Sequence, residues 1–281
     1  MDIEQLGKLY TGTIPFVMAR CRESGGFGAT PRLPATIQDT YHALNILSLS
    51  RRLVPATGSE SNSLAGDTLR AYLATSLRLL SSTGISTAFQ LLWSCRTAGV
   101  AFDHGAAATA VNAKVQGSAS LEDWYFFARI QTEILGNSHL AAAEGQGINT
   151  ILHRGWRCVD EAWMHIYLAR AYASPDPRPD PELIAWFQAC QNGDGGFGFF
   201  PGTTSFIENC HACLRTLALL RATPLNPGRA FSFLSGCQTA AGERAPYCPR
   251  VRRPRNESRC SVSPARGSSA AGKGRKKSFS R

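Results

Sequence analysis

The sequence predicts an all-α protein built from stacked helical hairpins. Three observations predict it. A glycine-aromatic phrase occurs twice and opens the same kind of helix each time, apolar residues recur at helical spacing along much of the chain, and no segment alternates at period two for long. The first copy runs Cys21-Arg-Glu-Ser-Gly25-Gly26-Phe27-Gly28, then Pro31, then a helix from Ile37. The second runs Cys190-Gln-Asn-Gly-Asp194-Gly195-Gly196-Phe197-Gly198, then Pro201, then a helix from Ile207. From Gly25 to Leu44 the copies align without a gap, at the constant offset of 170 that separates Gly25 from Gly195. A long repeat of this kind means one supersecondary unit stacked several times.

The elements follow in order. Residues 68–81 put Leu69, Tyr72, Leu73, Leu77 and Leu80 on one helical stripe. Residues 121–135 and 159–173 are similar, the first carrying Trp124, Tyr125, Phe126 and Phe127, the second Trp163, His165 and Tyr167. Three helix starts are marked by a hydroxyl three residues before a carboxylate: Thr36 and Asp39, Ser120 and Asp123, Ser205 and Glu208. That spacing satisfies the orphan N–H groups of a first turn. The proline-rich run 175–181 is a stiff connector ending where the helix 182–190 begins. The second copy is thus a hairpin, an outer helix 182–190 and an inner helix 205–220 joined by the Gly-rich turn. The outer-helix ending returns at Phe233-Leu-Ser-Gly-Cys237-Gln238, 47 positions after Cys190. Weaker echoes at 91–96 and at Gly155-Trp156 fill the interval between the copies at roughly the 40-residue period of helical-pair repeats.

After Gln238 neither the Gly-Gly-Phe phrase nor an inner helix follows, so the array is expected to be incomplete at its C-terminus. The repeat domain is assigned to 1–241 and a basic tail to 242–281. The net charge of +10 belongs to that tail, since residues 243–281 hold twelve Lys and Arg against two Glu. The body is therefore neutral and gives no reason to expect nucleic acid. The tail lacks the apolar content to fold and is expected to be disordered. As a genuine segment it suits anionic lipid or RNA. Its abrupt change of composition favours a frame-shifted or mispredicted end. No apolar run approaches the length of a membrane span, and Met1-Asp2-Ile3-Glu4-Gln5 lacks a signal core, so a cytoplasmic protein is expected. The nine cysteines, odd in number and irregularly spaced, are expected as reduced, mostly buried thiols.

The paired glycines do not form a phosphate loop, because no Gly-Lys-Ser/Thr follows them and no strand precedes them. Turn formation and close helix approach are their expected roles, with Phe27 and Phe197 filling the space between hairpins and Asp194 capping turn amides.

The phrase 191–198, a proline, and a helix opening Ser-x-x-Glu resemble the repeat of protein prenyltransferase β subunits, one of the prenyltransferase and squalene-oxidase-type repeats. Terpenoid cyclases share a related repeat. The likeness is strong over 182–220, good over 12–47 and faint across 60–175. It implies an α/α toroid, in which inner helices ring a central cavity lined with aromatics. The residues alone imply only a curved or closed helical-pair array.

The resemblance carries two chemistries. The Asp-x-Asp-Asp acid of class II cyclases is absent, Glu122-Asp123 and Asp160-Glu161 being the nearest runs. Prenyltransferases bind zinc through an Asp-x-Cys pair at an inner-helix start, and that pair falls on Glu208 and Cys210, with His211 where the family has a diphosphate-touching Tyr. Here the carboxylate is Glu, no histidine follows His211 to complete the site, and Gly202-Thr203-Thr204-Ser205 stands where the family places Lys and Arg. The other reading of Glu208 is a capping carboxylate, and of Cys210 and Cys213 core thiols. Trp124 and Trp163 are assigned to the repeat position of Thr40 and Cys210, which in a toroid points into the cavity; Tyr41 and His211 are further substrate-facing candidates. Arg32, His153, Arg154 and Arg157 are loop cations for a diphosphate. The expectation leans to a transferase that moves a prenyl group from its diphosphate to a nucleophile, with zinc as its metal and an α-helical partner subunit implied by the resemblance. The alternatives are a non-catalytic toroid binding lipid or protein, and a cyclase-like enzyme using another acid.

Overall fold

The computed structural model describes residues 13–53, 66–115, 119–137, 155–172 and 181–237. The basic tail, the proline connector up to residue 180, His153 and Arg154 lie outside the described residues. Ten α-helices account for most of what is described: α1 (Thr13–Met18), α2 (Ile37–Leu53), α3 (Asp67–Ser76), α4 (Ile85–Ala98), α5 (His104–Asn112), α6 (Leu121–Arg129), α7 (Val159–Tyr172), α8 (Pro181–Ala189), α9 (Ile207–Leu219) and α10 (Pro227–Gly236). A π-helical turn, Ile130–Ile134, continues α6. Among the described residues the only β-type pairing is isolated bridges inside the two Gly-rich turns.

Those turns explain why hairpins form. In the first, Gly28 N–H donates to Arg20 O, Arg22 N–H to Gly26 O, Gly25 N–H to Arg22 O and Thr36 N–H to Phe27 O. In the second the donors are Gly198, Asn192, Gly195 and Phe206, and the acceptors Cys190, Gly196, Asn192 and Phe197. Every pair keeps the offset of 170, so one backbone ladder is built twice. The ladder pairs Cys190 with Arg20, one residue away from the sequence match of Cys190 with Cys21; accordingly Cys190 is buried while Cys21 is exposed. Phe27 and Phe197 are both buried. Gly25 and Gly195 have φ of +88° and +93°, a region that L side chains resist.

The same glycines receive the next outer helix. A Cβ at Gly25 would collide with Thr68 O of α3, and one at Gly195 with Arg229 O of α10. One turn further on, the Tyr72 ring lies against Gly26 and the Phe233 ring against Gly196, each 2.7 Å from where a Cβ would stand. Consecutive hairpins therefore stack through glycine contacts. α10 sits on the second turn as α3 sits on the first, and Gln191 fastens it by bonding both ways to the Asn226 backbone at 2.8 and 3.0 Å.

The inner helices α2, α4, α6, α7 and α9 pack side by side in that order, with α1, α3 and α8 behind α2, α4 and α9. Of the three expected capping boxes one forms in full: Ser120 and Asp123 exchange bonds at 2.9 and 3.1 Å. At the second, the Thr36 hydroxyl accepts from Asp39 N–H at 3.0 Å and donates to the Asp39 carboxylate at 2.6 Å, while the Thr36 N–H goes to Phe27 O. The third does not form: Phe206 is the cap of α9, without a side-chain bond. Ser205 instead donates to Asp194 Oδ1 at 2.8 Å, and the same oxygen accepts from Gly196 N–H at 3.0 Å. Under the repeat offset Thr36 corresponds to Phe206, not to Ser205, so Glu208 has no hydroxyl at the capping position.

Candidate functional site

Counting from its cap gives each inner helix the same register. The caps are Thr36, Gly84, Ser120, Cys158 and Phe206, each of whose carbonyls accepts the first helical bond, from the fourth residue on. That fourth residue is Thr40, Ala88, Trp124, Ala162 or Cys210, and all five are buried. The fifth is Tyr41, Phe89, Tyr125, Trp163 or His211, and the ninth Asn45, Trp93, Arg129, Tyr167 or Arg215. Positions five and nine are one turn apart and share a face. Trp163 therefore belongs with Tyr41 and His211, one position beyond the residues it was aligned with, whereas Trp124 does stand with Thr40 and Cys210. The Trp124 ring packs against Phe127 and Tyr172 at 5.6 and 6.4 Å.

The shared face is a continuous run of rings and cations. Tyr41 meets Phe89 at 5.8 Å and Trp93 at 5.1 Å. The Arg129 guanidinium lies 4.0 Å over Phe89 and 5.5 Å from the Tyr125 ring. Tyr125 meets Tyr167 at 5.2 Å and accepts a bond from Trp163 Nε1 at 3.0 Å. Arg215 lies 4.9 Å over Trp163. His211 is close enough to Arg215 and Arg129 to feel both charges.

Its two arginines differ. Arg129 is buried and bonds Glu133 twice, Nε to Oε1 and Nη2 to Oε2, each at 2.9 Å. Burial opposes its charge, but the Glu133 bonds outweigh that and raise the guanidinium pKa. Glu133 also accepts from Tyr167 OH at 2.9 Å, and burial followed by the Glu133 charge raises the Tyr167 phenol pKa. Arg129 is thus neutralised where it stands. Arg215 is exposed and has no ion-pair partner among the described residues. The packing around His211, then Arg215 and Arg129, lower its imidazole pKa and keep the ring neutral at neutral pH.

The zinc donors read from the resemblance do not assemble. Glu208 and Cys210 are two helical positions apart, so their side chains diverge by about 200°. Glu208 is exposed; Cys210 is buried. The Cys210 thiol donates to Phe206 O at 3.2 Å, and burial pushes its pKa up to about 11. It holds the place of Thr40, whose hydroxyl donates to Thr36 O at 2.6 Å and accepts from Phe27 N–H at 3.0 Å. Cys210 therefore serves the turn, as Thr40 does. Among the described residues no three His, Cys, Asp or Glu side chains gather into a metal site.

Of the four loop cations only Arg32 and Arg157 are among the described residues. Arg157 pairs with Glu161 at 2.7 Å, and Arg32 is exposed in the first turn. Phe89, Trp93, Arg129 and Arg215 are the residues of this face that the sequence pattern did not single out. Counting five and nine from each cap would have found them.

The family model of the prenyltransferase alpha-alpha toroid domain matches residues 4–102 and 163–259, more than half of the chain. No curated protein and no solved structure matches it.

Proposed function

We propose, for a chain that belongs to the prenyltransferase alpha-alpha toroid family, that it handles an isoprenoid diphosphate on the face shared by its inner helices. One observation carries the reading: five consecutive inner helices put Tyr41, Phe89, Tyr125, Trp163 and His211 at one register position, with cations only at the α6 and α9 members of the next. Rings of this kind suit an unsaturated hydrocarbon tail, and their faces suit developing positive charge. Arg215, which has no ion-pair partner among the described residues, and the adjacent neutral His211 supply a charge and a donor for a diphosphate. Arg129 is held in its salt bridge; Glu133 accepts from Tyr167 OH at 2.9 Å, and Arg129 Nη1 itself donates to Tyr125 OH at 3.4 Å.

The reaction class of this reading is transfer of a prenyl group from its diphosphate to a nucleophile. Arg215 and His211 would hold the leaving diphosphate while the rings hold the chain and exclude water. No step runs through zinc, because the described donors do not fit that metal. Cytoplasmic location and an α-helical partner belong to the same reading. A second reading is favoured by Cys210, whose thiol is engaged in the turn: a toroid that binds the isoprenoid without transferring it.

The test is a calorimetric titration of farnesyl and geranylgeranyl diphosphate into the wild type and Arg215→Gln. Binding weakened about tenfold by the variant, by the loss of roughly one charge-assisted contact, supports the site. Equal affinity of both proteins, or no binding to folded wild type, removes it. A label transferred from the diphosphate to a thiol acceptor separates catalysis from binding.

A further inference from the structure

The connection between α4 and α5 walls a hollow of about 420 Å³ that shares no residue with the ring face. Its shape follows from two helix ends. Gly99, at φ +70°, stops α4; its N–H donates to Arg96 O at 3.3 Å, and Val100 N–H donates to Cys95 O at 2.8 Å. Asp103 then caps α5, its Oδ1 accepting from Gly105 and Ala106 N–H at 2.8 and 3.0 Å. The short link between these ends lays Val100, Ala101 and Phe102 along the hollow. Ile134, the last residue of the π-helical turn, belongs to the same wall.

Two polar side chains complete the lining, Arg96 and His104, and among the described residues no acid lines it. Glu133 gives its carboxylate to Arg129 and Tyr167. Its backbone carbonyl accepts from Arg96 Nη1, which pins the guanidinium in place. Among the described residues Arg96 has no ion pair, and its Nε–H and Nη2–H have no acceptor. Those two groups form one edge of the guanidinium fork, the kind of edge that takes a carboxylate through two parallel bonds. A group already fixed loses little freedom on binding. The His104 ring stacks on Phe102 at 5.0 Å and 27°, and an imidazole carries at least one N–H in either protonation state. We propose that this hollow binds a small carboxylate with an apolar body, its head on Arg96 and its body against Val100, Phe102 and Ile134. The volume stands toward the low end of ligand pockets, roughly 300–1,000 Å³, and so selects a body of about one ring. This inference is independent of the isoprenoid reading, because it invokes neither the ring face nor a reaction.

The test is a ligand-observed NMR titration of phenylacetate into the full chain, with phenylacetamide and acetate as comparison probes. Phenylacetate is expected to bind saturably. Phenylacetamide, which lacks the charge, is expected to bind about tenfold more weakly, and acetate, which leaves the apolar wall unfilled, is also expected to bind more weakly. Arg96→Gln is expected to weaken phenylacetate by about tenfold or more. Because Arg96 also holds Glu133 O, Ala101→Phe is the second variant: Ala101 is exposed, and the added ring fills the hollow while leaving the guanidinium in place. It is expected to abolish binding, with circular dichroism showing that the helices remain. No saturable binding to folded wild type overturns the proposal. So does phenylacetamide bound as tightly as phenylacetate. Acetate bound as tightly as phenylacetate would mean an adventitious ion only and overturns it too. Phenylacetate binding unchanged in either folded variant places the acid elsewhere and has the same consequence.

Discussion

The first and second Gly-Gly-Phe turns are the same backbone put to different uses. Both close with the same hydrogen bonds at an offset of 170, and both receive an outer helix on their left-handed glycine. Around that constant frame the side chains diverge. Thr40 becomes Cys210, Tyr41 becomes His211, Ala29 and Thr30 become Phe199 and Phe200, and Arg20 becomes Cys190. The conserved part is what stacking demands; the variable part is free for function. A cysteine near an inner-helix start can therefore be a turn fastener, even where the family resemblance makes it a metal ligand.

The glycines should break the comparison most violently. Gly195→Ala and Gly25→Ala each force an L residue to positive φ and drive a Cβ into the next outer helix. Each should cost about 3 kcal/mol or more, since steric collision adds to the backbone strain. Thermal unfolding followed by circular dichroism is the measurement, and the two losses should match.

The Thr40 and Cys210 positions should prove interchangeable. Thr40→Val removes the bonds to Phe27 N–H and Thr36 O and should cost about 1–2 kcal/mol. Cys210→Thr should be tolerated within about 1 kcal/mol, because the first turn already works with threonine. Denaturant midpoints compare the two. A Cys210→Thr protein that lost a bound metal would contradict the structural role given to this thiol.

Histidine sharpens the comparison through pH. The His211 pKa is lowered in the folded protein, so the unfolded chain binds the proton more tightly. Its contribution is flat above the ordinary histidine value near 6.5 and turns destabilising as pH falls through that value toward the lowered folded one. His165, buried and also lowered, adds to the same slope. His211→Tyr, which copies Tyr41, should flatten part of the acid limb of a stability–pH curve. His165 and His42, both lowered by burial, keep the remainder of the histidine slope.

The smallest effect belongs to the exposed rings. Phe199→Ala with Phe200→Thr recreates the first turn and should change stability by no more than about 0.5 kcal/mol in a thermal melt.

Much of this fold was legible in the sequence because its signals are local. The Gly-Gly-Phe phrase, the hydroxyls at Thr36 and Ser120 that accept first-turn N–H groups, and the part of the 68–81 stripe that forms α3 each act within a few residues. The site was less legible. The register of α7 was missed by one residue because its cap is Cys158, which carries no capping signature, so Trp163 was aligned with its neighbour's position. Ser205 and Glu208 show the capping spacing, yet Asp194, eleven residues earlier, takes the hydroxyl. Arg129 and Glu133 look like a solvated helical pair in sequence; only packing against Phe89 and Tyr167 makes them part of the lining.

The most direct test uses two tryptophans at different helical positions of the inner layer, the fourth and the fifth from the cap. Geranylgeranyl diphosphate is titrated into the wild type, Trp163→Phe and Trp124→Phe while tryptophan emission is followed. If the shared face holds the isoprenoid, saturable quenching persists unchanged in Trp124→Phe and is clearly reduced in Trp163→Phe, with Trp93 on the same face keeping the remainder. Quenching that follows Trp124 instead, or none in folded wild type, would contradict the register on which the account rests.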